Sequence, residues 1–186
     1  VSAFEIIAAV ITLYSVWLTA KENIWCWPVG FIGCAMYIVI FWEARLYANA
    51  VLQVLYLILM VWGWYEWLHG GKGHTALAIT RTPVWGWIVA IAFGVALWLG
   101  TVWGLTRWTN ASMPWSDAGT TAFSIAAEGM TAKKWIENWI VWIVVDAVTT
   151  WMLVVQKLYA TAGLYAIFIV LAIFGWIEWR KSLASA

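Results

Sequence analysis

The chain has 186 residues, of which 65% are hydrophobic and 10% charged, with a formal net charge of +1 and a mean hydropathy of +0.85. A water-soluble domain carries roughly a quarter of its residues as charged side chains, so this chain is solvated by something other than water. That excludes a soluble enzyme and a nucleic-acid partner, and it points to an all-α integral membrane protein.

Apolar runs of about 20 residues cross the roughly 30 Å hydrocarbon layer as helices. In chain order they predict seven spans: 3–20, 25–43, 46–67, 83–104, 116–132, 136–155 and 158–179. The first run shows no cleavage-site pattern and reads as a spanning helix, not a signal peptide. In the second, Cys26 and Cys34 lie two helical turns apart, about 12 Å, too far for a disulfide. Pro28 falls in that helix's first turns, and Pro83 stands where the fourth can begin without losing a needed donor. His69 and His74 occupy the Gly-rich loop "HGGKGH". With no carboxylate or cysteine partner at ligand spacing they read as a solvated turn, so no metal and no cofactor are expected.

Seven spans put the termini on opposite sides. One side collects Lys21, Lys72, Arg81, Lys133, Lys134, Arg180 and Lys181, and the other Arg45, Arg107 and Lys157. Positive charge favours the cytoplasm, so the N-terminus is expected outside and the C-terminus inside. Of the 19 Trp, those at 62, 64, 67, 85, 87, 103, 108, 115, 176 and 179 fall near span ends, where an aromatic belt belongs. Trp139, Trp142 and Trp151 lie deeper.

The phrase "RLYANAVLQVLYLILMVWGWYEW" at 45–67 returns as "KLYATAGLYAIFIVLAIFGWIEW" at 157–179, a shift of 112 with ten of 23 positions identical. The same shift sets Thr19-Ala20-Lys21 on Thr131-Ala132-Lys133. Between these blocks "ENIWCW" (22–27) faces "ENWIVW" (137–142) at a shift of 115, which predicts a local insertion. Polar residues matching in register argue for an internal duplication. The expected organisation is a three-helix bundle at 1–68, a linker helix at 83–104 and a second bundle at 116–180. This is a 3+1+3 parallel repeat about an axis along the membrane normal. Duplicated halves suggest a transporter with substrate held between them.

Polar residues inside the spans fall on defined faces. Asn49, Gln53 and Tyr56 share one, Trp139, Trp142, Asp146 and Thr150 a second, and Asp117, Thr121, Ser124 and Glu128 a third. A carboxylate at bilayer depth costs about 2.5–3.5 kcal/mol, so Asp146 must face an interior or a water-filled path. Glu128 either pairs with Lys133 or reaches the interface. The amides either bridge helices or line a pocket. Together these faces suit a flat, positively charged ring held by stacking and cation–π attraction. A channel would show rings of carbonyls or charges, a pump a nucleotide motif, and an intramembrane enzyme a nucleophile with a base or a metal cluster. None is visible, and transport without an attached motor is the surviving class. A non-transporting receptor or assembly protein is the alternative.

The "LYANAVLQ…YLILMVWGWYEW" run, the "N-x-W-x-W-P" start at 23–28 and "KKWIENWIVWIVVDAV" followed by "KLYA" resemble PnuC-type vitamin transporters over nearly the whole chain. The resemblance implies a SWEET-like 3+1+3 fold in the bacterial inner membrane. It also implies facilitated diffusion of nicotinamide riboside, trapped inside by a cytoplasmic kinase, and it admits a homo-oligomer. It carries a binding role to Trp139 and Trp142 of the W-x-x-W motif, with Asn138 beside them, and to Gln53. Asn49, Tyr56, Thr121, Ser124 and Asp146 complete the expected substrate-binding set. Asp146 stands where several nicotinamide riboside members are expected to have Asn. Nicotinamide riboside is the expected vitamin, with thiamine, also a flat cation, as runner-up and neutral, bulkier riboflavin fitting the acid less well.

Overall fold

A computed structural model describes residues 3–43, 47–108 and 113–185. They form seven helices: α1 (Ala3–Ala20), α2 (Cys26–Glu43), α3 (Tyr47–His69), α4 (Val84–Trp108), α5 (Pro114–Ala132), α6 (Asn138–Val155) and α7 (Tyr159–Ser185). Among the described residues five of these are long and apolar enough to cross a membrane by length and composition. α5 is less apolar because it spends positions on Asp117, Thr120, Thr121, Ser124 and Glu128. It also starts two residues before the expected boundary, since Pro114 fits the first helical turn, where its missing N–H costs nothing.

The packing order follows the chain. α1 packs on α2 and α2 on α3; α5 packs on α6 and α6 on α7. The two triads meet along α1 against α7 and α3 against α5, while α4 docks on α5. Small residues allow these close approaches. A side chain at Gly94 of α4 would strike the Phe123 ring of α5 at 2.7 Å, and one at Gly33 of α2 would strike Thr12 Oγ1 of α1 at 2.9 Å. The outward faces are apolar, as lipid requires: Ile88, Val89, Ile91 and Leu99 on α4 are all exposed.

Both cysteines are free, Cys26 buried and Cys34 half-buried. The 68–82 connection is more than a solvated turn. Its second part lies over the α5–α6 turn: Thr80 N–H donates to Lys134 O (3.1 Å) and Ile136 N–H donates to Thr80 O (2.9 Å). Thr82 N–H and Oγ1 donate to Glu137 Oε2 at 2.7 and 2.8 Å, and Ile79 is buried beneath.

Two tryptophans assigned to the aromatic belt lie elsewhere. Trp67 and Trp179 are buried (3% and 0% exposed), in a core with Leu18, Trp27, Ile79, Ile136 and Trp139 at the α1–α2 and α5–α6 turns. The reason is a partner for each indole N–H on the opposite triad. Trp67 Nε1 donates to Thr131 O and Trp179 Nε1 to Thr19 O, both at 3.0 Å. By contrast Trp64, Trp85, Trp103, Trp108 and Trp115 are exposed on the outer surface.

Candidate functional site

Between the triads lies a cavity of about 520 Å³. Its walls come from α2 (Phe41), α3 (Leu52, Gln53, Tyr56), α5 (Asp117, Thr120, Thr121, Ser124), α6 (Trp142 to Gln156) and α7 (Tyr165). These lie toward the end where α6 turns into α7, with Met113 and Gln156 at the lip. Volume and lining fall in the range of small-ligand sites, which combine apolar walls with a few placed polar groups.

Six of the nine residues expected from the sequence line this space: Gln53, Tyr56, Thr121, Ser124, Trp142 and Asp146. Their helical spacing explains it. Gln53 and Tyr56 lie on one face of α3, Thr121 and Ser124 one turn apart on α5, and Trp142 and Asp146 one turn apart on α6. Tyr56 reaches across the seam, its hydroxyl 2.5 Å from Ser124 Oγ, which donates in turn to Thr121 O at 2.9 Å. Asp146 is 6% exposed, and among the described residues no hydrogen bond or ion pair holds its carboxylate. Burying an unpaired polar or charged group is costly, so this side of the cavity is prepared for a cation or a donor.

Asn138 and Trp139 do not reach the cavity. Asn138 is fully buried one turn deeper, where its Nδ2 donates to Trp135 O (2.7 Å) and its Oδ1 lies 3.1 Å from Thr131 Oγ1. Trp139 packs edge-on against Trp179 with ring centroids 5.4 Å apart, held against Gly175. Both share the azimuth of Trp142 but not its depth. Asn49 lies in α3, and its side chain is outside the described residues. Trp151, the third deep indole, is 53% exposed on the far side of α6.

Asn138 still touches the site indirectly. Trp142 Nε1 donates to Thr131 Oγ1 at 3.3 Å, and Thr131 is the residue that Asn138 flanks and whose carbonyl accepts from Trp67. Sequence reasoning passed over Phe41, Thr120, Thr149, Gln156 and Tyr165. Thr149 lies three residues after Asp146 on α6, a helical spacing that marks it as a neighbour on that face. Tyr165 is the counterpart of Gln53 at the shift of 112, so the repeat marks it although α7 is apolar around it.

Below the cavity the triads are locked together. Lys21 pairs with Glu178 (2.8 Å), Lys133 with Glu66 (3.0 Å) and Lys134 with Glu22 (3.5 Å). Lys133 thus meets Glu66 instead of Glu128, the partner considered from sequence; Glu66 lies at the same level across the seam. Burial pushes the Lys134 ammonium below the ordinary lysine range, with Glu22 opposing. Each of these features recurs at a shift of 112. Lys21–Glu178 maps onto Lys133–Glu66, Trp67 on Thr131 onto Trp179 on Thr19, and Trp27–Trp67 (5.3 Å) onto Trp139–Trp179 (5.4 Å). Glu22 and Lys134, also 112 apart, both take left-handed backbone, with φ of 55° and 49°. The geometry therefore sets 22 against 134 and 27 against 139, and the insertion inferred from the two "EN" phrases is not needed.

A family model described as nicotinamide mononucleotide transporter matches residues 2–181. The chain is 22% identical to the nicotinamide riboside transporter PnuC of Escherichia coli K12, over 97% of this chain and 86% of that one. It is 27% identical to the riboflavin/roseoflavin transporter RibM of Streptomyces davaonensis, over 94% and 83%. Among solved structures it is similar to one titled "Crystal structure of the Vitamin B3 transporter PnuC", with a TM-score of 0.76, 22% identity and coverage of 98% and 82%. At that identity the structural match speaks to the fold alone, a multi-helix membrane architecture.

Proposed function

We propose that this chain, which belongs to the nicotinamide mononucleotide transporter family, carries nicotinamide riboside through the cavity between its two triads. The observation that carries this reading is the pairing of Trp142 with the unpartnered Asp146 one turn away, opposite Gln53 and Tyr56. An indole face and a carboxylate suit the pyridinium ring of this cation. Amide and hydroxyl groups from Gln53, Thr121 and Ser124 suit its ribose and carboxamide.

Movement is by facilitated diffusion down the vitamin's own gradient, which phosphorylation by a cytoplasmic kinase maintains by trapping it, so no motor and no coupled ion gradient are needed. The working units are 1–68 and 116–180 in a SWEET-like 3+1+3 arrangement, with 83–104 as linker. Supporting this, the contacts among the six triad helices are unchanged when α1, α2 and α3 are exchanged for α5, α6 and α7, although α4 docks on α5 and not on its counterpart α1. The lysine and arginine distribution supports an outside N-terminus in a bacterial inner membrane.

A second reading, riboflavin, is favoured by the RibM relative, whose identity of 27% exceeds the 22% of PnuC. Against it, a neutral flavin offers Asp146 hydrogen-bond donors but no positive charge to meet the carboxylate. Thiamine shares the cationic ring and stays the third candidate.

Titration of purified protein with the three vitamins, followed by intrinsic tryptophan fluorescence, separates them. Saturable quenching by nicotinamide riboside alone, with its flux into liposomes, is expected. Quenching by riboflavin alone would replace the substrate, and silence towards all three in folded protein would end the vitamin reading.

A further inference from the structure

We propose that the interlocked contacts at the α1–α2 and α5–α6 turns are the gate that closes one face of the transport path. The two triads part there to release the vitamin. The inference rests on the transporter reading and adds to it the barrier that must open.

Position is the first argument. Ser124 in the cavity wall and Thr131 in the lock are seven residues apart on α5, about 10 Å along the helix axis. The lock therefore fills the path between the cavity and the face that carries the turns. Chemistry is the second. Within each triad helices meet through continuous helix packing, but at this end the seam is bridged by Lys21–Glu178, Lys133–Glu66 and Lys134–Glu22 and by the Trp67 and Trp179 indole donors. Partly exposed ion pairs form and break at small net cost, which suits a contact made and broken each cycle.

The closed arrangement also leaves work undone. The indole N–H groups of Trp27 and Trp139, buried at 3% and 2% exposure, have no acceptor among the described residues. Buried donors are normally paired, and opening the seam would give both of them water. Finally, the lock is wired to the cavity. Trp142, which lines it, donates to the Thr131 hydroxyl, and the Thr131 carbonyl holds Trp67. A ring stacked on Trp142 is thus one residue away from the latch.

Cys26, buried beneath the lock, is the reporter. With Cys34→Ala it is the one remaining thiol. Its labelling by a charged, membrane-impermeant maleimide is followed from each face of sealed vesicles, with no vitamin present. Glu66→Lys with Glu178→Lys sets lysine against lysine in both outer pairs. Labelling at least tenfold faster, from the turn-bearing face alone, is expected. Adding Lys21→Glu and Lys133→Glu restores both pairs in reversed sense and should slow it again. An unchanged rate in the folded reversed protein, or no slowing on restoration, overturns the gate.

If the reversed protein does not fold, Lys21→Cys with Glu178→Cys, in a background with Cys26 and Cys34 replaced by Ala, is joined by a short bis-maleimide. Flux should stop while vitamin binding from the opposite face persists; full flux through completely cross-linked protein overturns the proposal. Thiol labelling needs no substrate. A parent that neither binds nor carries a vitamin would therefore sink the transporter reading while the labelling result still decides the gate.

Discussion

The seam between the triads has two ends of opposite character. Toward the α6–α7 turn it widens into a cavity whose Asp146 carboxylate has no partner among the described residues. Toward the α1–α2 turn the charged groups at the seam are paired, and two indoles are bonded across it. Unsatisfied polar groups are costly unless something else completes them, so the first end is shaped to receive a ligand. At the second end the charged groups already hold one another, and only the Trp27 and Trp139 indole N–H groups lack an acceptor among the described residues. Under the proposed reading a single polar seam holds both the receiving and the closing function, divided by about two turns of α5.

The sharpest way to break this contrast is to overfill the closed end. A side chain at Gly63 would collide with the buried Trp27 ring, and one at Gly175 would come within 2.5 Å of Trp139. Gly63→Val with Gly175→Val should cost several kcal/mol, since overpacking costs about 1–3 kcal/mol per site. Thermal unfolding in detergent would show it as a large fall in midpoint. An unchanged midpoint would mean the two glycines are not pressed against the indoles.

At the open end, Trp142→Ala should weaken vitamin binding by tenfold or more, about 1.4 kcal/mol, with folding intact. Gln53→Ala should do the same. Retained affinity in both would discard the cavity as the binding site. Asp146→Asn should weaken a cationic vitamin roughly threefold to tenfold and riboflavin less, in line with about 1 kcal/mol between a charged and a neutral hydrogen-bond partner. Equal losses for both ligands would make the acid structural. The smallest effect is expected from Trp151→Ala: this indole shares α6 with Trp142 but faces outward, and binding should not change. A loss there comparable to that of Trp142→Ala would mean the cavity is drawn on the wrong face of α6.

The seven helices were legible because each is a largely apolar run near 20 residues bounded by charges; most ends moved by one to four residues, and α7 runs six past the expected 179. Six cavity residues were legible because helical spacing gives the direction a side chain points. The same spacing misplaced Asn138 and Trp139, because it fixes azimuth and says nothing of how far down a cavity extends. Trp67 and Trp179 misled for a related reason. At a helix end an indole can face headgroups or a neighbouring helix, and only the carbonyls of Thr131 and Thr19 decide between them. Yet a signal was present: Thr19, Lys21, Glu66 and Trp67 recur in register, and those recurring polar residues are where the triads touch.

The Glu22–Lys134 pair has a consequence for ancestry. Under the proposed repeat these two residues occupy the same position in each half, yet they face each other across the seam. A position that meets its own copy lies on the symmetry axis. In a dimer of two identical three-helix units the residue there would confront itself, acid against acid or base against base. Joining the units into one chain removes that restriction, because each copy can then mutate alone. Opposite charges at a self-facing position require two copies that can diverge, and they fix which half is which.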